Sequence, residues 1–211
     1  TAVGANALFN NTTGGENTAL GSHALYQNTT ASSNVAVGGN ALYQTTTGSN
    51  NTAVGRYCML NNQTGVNNVA VGMNALYNNT NSYNVAIGQG ALFANTSGAS
   101  NTAVGYNCLG ANTTASNNTA VGNGALDATQ TGTGNVAVGT NALTNNTTSF
   151  NTAVGYNACR DTTSGLGNVG VGTSSLVVNT TGAENTALGV DSLQSNTTAS
   201  YSVGVGRNAL K

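Results

Sequence analysis

The chain has 211 residues, of which only 4% are charged, and its formal net charge is −1; ordinary soluble proteins carry roughly 25% charged residues. Its four basic residues, Arg56, Arg160, Arg207 and Lys211, are far apart in sequence, which argues against nucleic-acid binding and against charge-driven docking on a membrane. No apolar run approaches the roughly 20 residues of a spanning helix, so membrane insertion of this segment is not expected.

The stretch Asn-Thr-Ala-Val-Gly, clear at Asn51–Gly55 and Asn101–Gly105, returns along the whole chain. Its closing glycine falls at Gly4, Gly21, Gly38, Gly55, Gly72, Gly88, Gly105, Gly122, Gly139, Gly155, Gly172, Gly189 and Gly206, ten intervals being 17 residues and two being 16. A fixed short period throughout a chain predicts a solenoid, each repeat forming one coil stacked on its neighbours. The phase-locked apolar residue in every repeat argues against a disordered polar tract.

With the glycine as position 0, position −1 is Val, Leu or Ile in all thirteen copies, −2 is Ala except at Gly170 and Gly204, and −3 is Thr or Val. This β-branched stretch reads as a strand. Asn stands at −4 in every copy with a visible −4 residue except one, where Ser202 replaces it, and suits both a turn and a stacked amide ladder. The glycine itself meets a backbone demand, either a positive φ or the close approach of another segment. A second apolar pair follows at +3 and +4, usually Ala-Leu as in Ala41-Leu42, with variants such as Cys58-Met59 and Ala158-Cys159. A polar Asn-Thr-Thr run and a small residue then begin the return turn. The two short intervals drop one residue there, at Ser82–Asn84 and Ser149–Asn151, so the strands are expected to keep their phase.

The expected fold is all-β: a parallel β-solenoid with two strands and two turns per coil, forming a flat two-sheet roll of thirteen coils. Residues 1–211 read as a single repetitive segment about 60 Å long at about 4.8 Å per coil. In the simplest assignment the −1 residue and the +4 Leu fill a thin core. The −2 column of Ala19, Ala36, Ala53, Ala70, Ala86, Ala103, Ala120, Ala137, Ala153 and Ala187 then faces outward as an interface stripe. Thr1 and Lys211 each lie inside a repeat, and coils are expected to continue past both ends, covalently or by end-to-end stacking.

The three cysteines, Cys58, Cys108 and Cys159, are an odd number. Neighbours among them stand about three coils, or roughly 14 Å, apart, beyond the reach of a disulfide. They read as small buried thiols in place of Ala or Leu. No metal-ligand spacing occurs, no cofactor is expected, and the single His23 has no catalytic partner at a repeated phase, so an enzyme is not expected. Glu16, Asp127, Asp161, Glu184 and Asp191 read as solvated surface. Position +5 carries Phe9, Tyr26, Tyr43, Tyr77 and Phe93, an aromatic ladder broken by Leu60. Such a ladder serves packing at an edge or between subunits, or stacks on sugars. Adjacent threonines such as Thr12-Thr13 point to opposite faces of an extended strand, which weakens an ice-binding Thr array.

The core N-x-A-[VIL]-G resembles the head repeats of trimeric autotransporter adhesins, and the full unit N-T-A-V-G-x-x-A-L-x-x-N-T-T-G resembles repeats of phage and bacterial tail-fibre-like proteins. The adhesin repeat is shorter than this one. The resemblance implies a left-handed parallel β-roll that assembles as an intertwined or side-by-side homotrimer. It implies a structural or adhesive fibre segment, extracellular, on a virion or bacterial cell surface, with a surface glycan as a possible partner. The alternative is a ligand-binding solenoid for glycan or ice.

Overall fold

The structure is a computed structural model that describes all residues from Thr1 to Lys211. It divides into two compact units, Thr1–Val104 and Gly105–Lys211. The first unit holds β1 (Ala2–Val3), β2 (Thr18–Leu20), β3 (Val35–Val37), β4 (Thr52–Val54), β5 (Val69–Val71), β6 (Val85–Ile87) and β7 (Thr102–Val104). The second holds β8 (Thr119–Val121), β9 (Val136–Val138), β10 (Thr152–Val154), β11 (Val169–Val171), β12 (Thr186–Leu188) and β13 (Val203–Val205). There is no helix. Each unit is a parallel β-solenoid with one three-residue strand per coil, shortened to two residues in β1.

Register follows the repeat without slip. Ala19, Ala36, Ala53, Ala70, Ala86 and Ala103 are successive partners in the first unit. Ala120, Ala137, Ala153, Gly170, Ala187 and Gly204 are successive partners in the second. The short intervals change nothing in the ladder, since Val69 still faces Val85 and Val136 still faces Thr152. The missing residue is absorbed in the return turn.

The second apolar run is not a strand, and here the architecture departs from the two-sheet roll. Residues at +2 and +4 adopt the left-handed region, as at Asn40 (φ 57), Leu42 (φ 52), Asn74 (φ 59) and Leu76 (φ 51). The reason is packing. Ala41 and Leu42 are both fully buried, as are Ala75 and Leu76. Adjacent residues of an extended strand point to opposite faces, so an Ala-Leu pair can bury both side chains only if the chain turns between them. The turned backbone still forms a ladder: Leu25 N–H donates to Ala41 O at 3.0 Å and Leu42 N–H to Cys58 O at 3.0 Å.

The strand faces the opposite way to the expected one. The −2 alanines, Ala19, Ala36, Ala53, Ala70, Ala86, Ala103, Ala120, Ala137, Ala153 and Ala187, are buried within the single chain. They are therefore core, not a surface stripe. The −1 residues point outward, so Leu20 is 47% exposed and Ile87 41%. The cause is the short span to the opposite wall, where only a methyl group fits beneath Leu and Ala. Where the wall thickens, the methyl is lost as well: a Cβ on Gly170 would collide with Cys159 Sγ, and one on Gly204 would stand 2.7 Å from Ser192 Oγ.

The return side is held by buried amides. Asn51 Nδ2 donates to Gly65 O at 2.8 Å, and Asn62 Nδ2 donates to the same oxygen at 3.0 Å. Asn51 Oδ1 accepts the backbone N–H of Asn68 at 3.0 Å, while Asn51 N–H donates to Asn34 Oδ1 at 2.9 Å. The pattern repeats in the second unit, where Asn151, Asn168 and Asn185 form the same chain of bonds. In the short coils a different carbonyl takes the role of Gly65 O, Asn81 O in one and Thr148 O in the other. The glycine column answers both demands at once. Gly55 has φ +139, and a Cβ there would lie 2.6 Å from Gly72 O of the next coil.

Two outcomes test this architecture by urea denaturation. Asn51→Ala strands the backbone N–H of Asn68 and leaves Gly65 O with Asn62 as its one amide donor, and should cost about 1–3 kcal/mol, while the exposed Asn10→Ala should cost almost nothing. Leu76→Val would be mild in a β-strand. In the left-handed region, where β-branching is strongly disfavoured, it should cost more than about 2 kcal/mol.

Candidate functional site

The aromatic residues at +5 all lie in the first unit, and the structure sorts them into two stacks. Phe9 and Tyr26 stack with ring centroids 5.5 Å apart and planes 9° from parallel, and Tyr26 and Tyr43 at 5.2 Å and 4°. Tyr77 and Phe93 form the second stack at 5.2 Å. Parallel in-register coils put equivalent side chains about 4.8 Å apart, and stacked rings fit that spacing. Leu60 stands where the next ring would be, so the face of Tyr43 toward that coil has no aromatic cover.

The +2 column runs beside this ladder and completes a groove. His23 tilts against Tyr26 at 5.4 Å and Tyr43 at 6.2 Å. Tyr57 lies under the Arg56 guanidinium, whose Cζ is 4.4 Å from the ring centroid and whose Nη2 donates to the Tyr57 hydroxyl at 2.7 Å. Together His23, Asn40, Tyr43, Gln44, Tyr57 and Leu60 line an open cavity of about 380 Å³. The positive φ at +2 aims these side chains outward, at His23 (φ 58), Asn40 (φ 57) and Tyr57 (φ 57). The recurrence of Asn and Gly at +2, as at Asn74, Gly90, Asn107 and Gly124, is the signal in the sequence for this left-handed column.

The His23 ring is held on both edges, Nε2 lying 3.2 Å from Asn6 Nδ2 and Nδ1 2.8 Å from Ser22 Oγ. In the second unit the +5 column holds no ring: Gly110, Asp127, Thr144, Arg160, Val177 and Gln194. Arg160 Nη2 and Asp161 Oδ2 pair at 2.7 Å on the surface. The hydrogen bonds that Arg160 donates to Asp161 hold the carboxyl below the usual carboxylate range and the guanidinium above its own. Burial pushes the Asp127 carboxyl up, against a hydrogen bond from the Gly110 backbone.

No group of three or more metal-binding side chains clusters anywhere, and no helix is long and apolar enough to cross a membrane. The first threonine of an Asn-Thr-Thr-like run spends its hydroxyl on the backbone, while the second, as at Thr13, Thr30 and Thr47, is exposed. Thr12, Thr29 and Thr46 donate theirs to backbone oxygens one coil on, those of Thr29, Thr46 and Gln63, at 2.8, 3.0 and 3.2 Å. The asparagines of several glycosylation-like triplets, Asn28, Asn95 and Asn179 among them, are fully buried.

The three thiols are free and buried. Cys58 occupies the +3 alanine site, with Sγ 3.3 Å from Ala70 O, and Cys159 occupies the +4 leucine site. Burial pushes both thiols from 9.0 up to about 12. Comparison with protein-family models, curated proteins and solved structures finds no match.

Native chain at pH 8 should therefore give no reaction of Cys58 or Cys159 with an aromatic disulfide reagent, and urea-unfolded chain should react in full. The linkage has a sign. The unfolded thiols ionise first, so this contribution to stability is intact below pH 9 and lost as pH rises toward 12. The fall in the denaturation midpoint across that range should be shallower in Cys58→Ala.

Proposed function

We propose that this chain is a structural, self-assembling fibre segment, a shaft or head element of a virion tail fibre or bacterial surface adhesin, and that it works as a homotrimer outside the cell. One observation carries the proposal: the −1 column on the outward face of each unit's strands is an unbroken apolar stripe of Val, Leu and Ile. The −3 column beside it holds only Thr and Val, with no charge at any level. In the first unit Val69 and Val71 are each 37% exposed. A contiguous apolar surface on an otherwise polar molecule marks an interface.

The ladder bonds of each unit close between successive coils of the same chain. That favours side-by-side association over an intertwined one. The resemblance of the repeat unit to adhesin-head and tail-fibre repeats points the same way. The contact surface in this reading is the Val/Leu/Ile stripe, because the alanine column is already inside. The chain's role is then to supply a stiff, regular surface whose exposed turn residues meet a host or a substratum.

Native mass spectrometry tests this. The expected species is three times the 20.8 kDa chain, and a monodisperse monomer would sink the proposal. Val71→Glu places a charge on the stripe without entering the core, and should abolish the trimer with the strand signal in circular dichroism intact. Gln63→Glu, on an exposed turn, should leave the trimer unchanged. Equal tolerance of the two substitutions would remove the stripe from the assembly.

A further inference from the structure

The groove between the two aromatic stacks has features that the assembly reading does not use. Stacked rings at +5 cover one another along the ladder, and Leu60 breaks that cover at one level only. The break leaves the far face of Tyr43 open above an apolar floor, with Tyr57 as a second wall. Tyr57 is stiffened from outside by Arg56, which both caps its ring and bonds its hydroxyl.

The polar groups at the groove are open to a ligand. The −4 asparagines spend their amides on the backbone of the adjacent coil, as Asn34 and Asn51 do. Asn40 makes no side-chain hydrogen bond within the protein, and neither does the Tyr43 hydroxyl or the amide nitrogen of Gln44. These groups meet at the one place where the ring ladder opens. His23, held in place by Asn6 and Ser22, adds a ring wall.

We infer that the groove formed by His23, Asn40, Tyr43, Gln44, Tyr57 and Leu60 is a binding site for a neutral pyranose unit of a glycan. A pyranose has one face of C–H bonds, which rests on an electron-rich aromatic face, and a rim of hydroxyls, which exchange hydrogen bonds with amides. The groove offers both in that arrangement. No charged residue lines it, and the nearest cation, Arg56, is engaged by the Tyr57 ring and hydroxyl. Its volume of about 380 Å³ sits at the lower end of the range for small-molecule sites, roughly 300–1,000 Å³. Its open form suits one unit of a longer chain. The site belongs to a single chain and does not depend on trimer formation.

Saturation-transfer NMR on the intact chain is the test, with triacetylchitotriose, maltotriose and lactose as neutral probes and sialyllactose as the charged one. Transfer is expected to the ring C–H protons of at least one neutral probe. Leu60→Tyr should complete the ladder, fill the opening and abolish that transfer, while the thermal midpoint holds or rises. Tyr43→Ala should reduce the transfer at least tenfold in affinity, and Phe9→Ala, at the far exposed end of the stack, should leave it unchanged. Three results each overturn the inference: no transfer to any neutral probe, transfer that survives Leu60→Tyr, or transfer to sialyllactose alone.

Discussion

The return side of each coil buries backbone with no second strand to satisfy it, and the ladder of buried asparagines supplies the missing partners. A buried carbonyl or N–H without a partner costs about 1–3 kcal/mol, and a solenoid repeats that cost at every level. The strand-entrance asparagine meets it with one side chain used twice. Its amide nitrogen closes the turn of the next coil, and its amide oxygen receives the next coil's backbone N–H, as Asn51 does for Gly65 and Asn68. The second column, at +7, works along the chain in the same way, with Asn28 Nδ2 reaching Asn11 Oδ1 and Asn95 Nδ2 reaching Asn79 Oδ1. The rule shows itself where it fails. Thr45 follows Asn28 in that column, has no amide to give, and leaves Asn28 Oδ1 buried without a partner.

Polar satisfaction on the return side leaves the rest of the coil to be governed by volume. The core has room for a methyl on the strand wall and for Ala plus Leu on the turned wall. That is why the two strand-wall glycines stand where larger groups back them: Gly170 beside Cys159 and Ser175, Gly204 beside Ser192. It also explains the chemical quiet of the interior. The thiols are there as volume, at a protonation state that keeps them inert in ordinary conditions. Repeat architecture thus confines variation to the outward positions at −5, +1, +2 and +5. Tyr83, Phe150 and Tyr201 mark the −5 corner, and Phe150, 64% exposed at φ 61, shows how little that position asks of its side chain beyond tolerance of the left-handed region.

Two surfaces result, at different phases of the coil. The strand's outward columns are apolar, featureless and repeated, which is what self-association of a fibre requires. The groove at His23 and Tyr43 is local and occurs where a single leucine interrupts a repeated aromatic, which is what recognition of a discrete unit requires. In the proposed reading, regularity serves assembly and its interruption serves binding.

The sequence by itself determined the period, the strand positions, the parallel register, the loss of a residue in two return turns and the unpaired state of the cysteines, because each is a matter of phase along the chain. It also marked the −4 asparagine as a ladder residue. What it left undetermined was direction. Alternation requires Ala and Val of one strand to face opposite ways, but either could be inside, and only the distance to the opposite wall decides that the methyl goes in and the Val column out. The Ala-Leu run was open in the same sense. Its two adjacent buried side chains are incompatible with a strand, yet the incompatibility exists only once both are seen to be buried. The groove is likewise a tertiary fact: His23, Tyr43 and Tyr57 come from three successive coils, and stacking alone brings them to one opening.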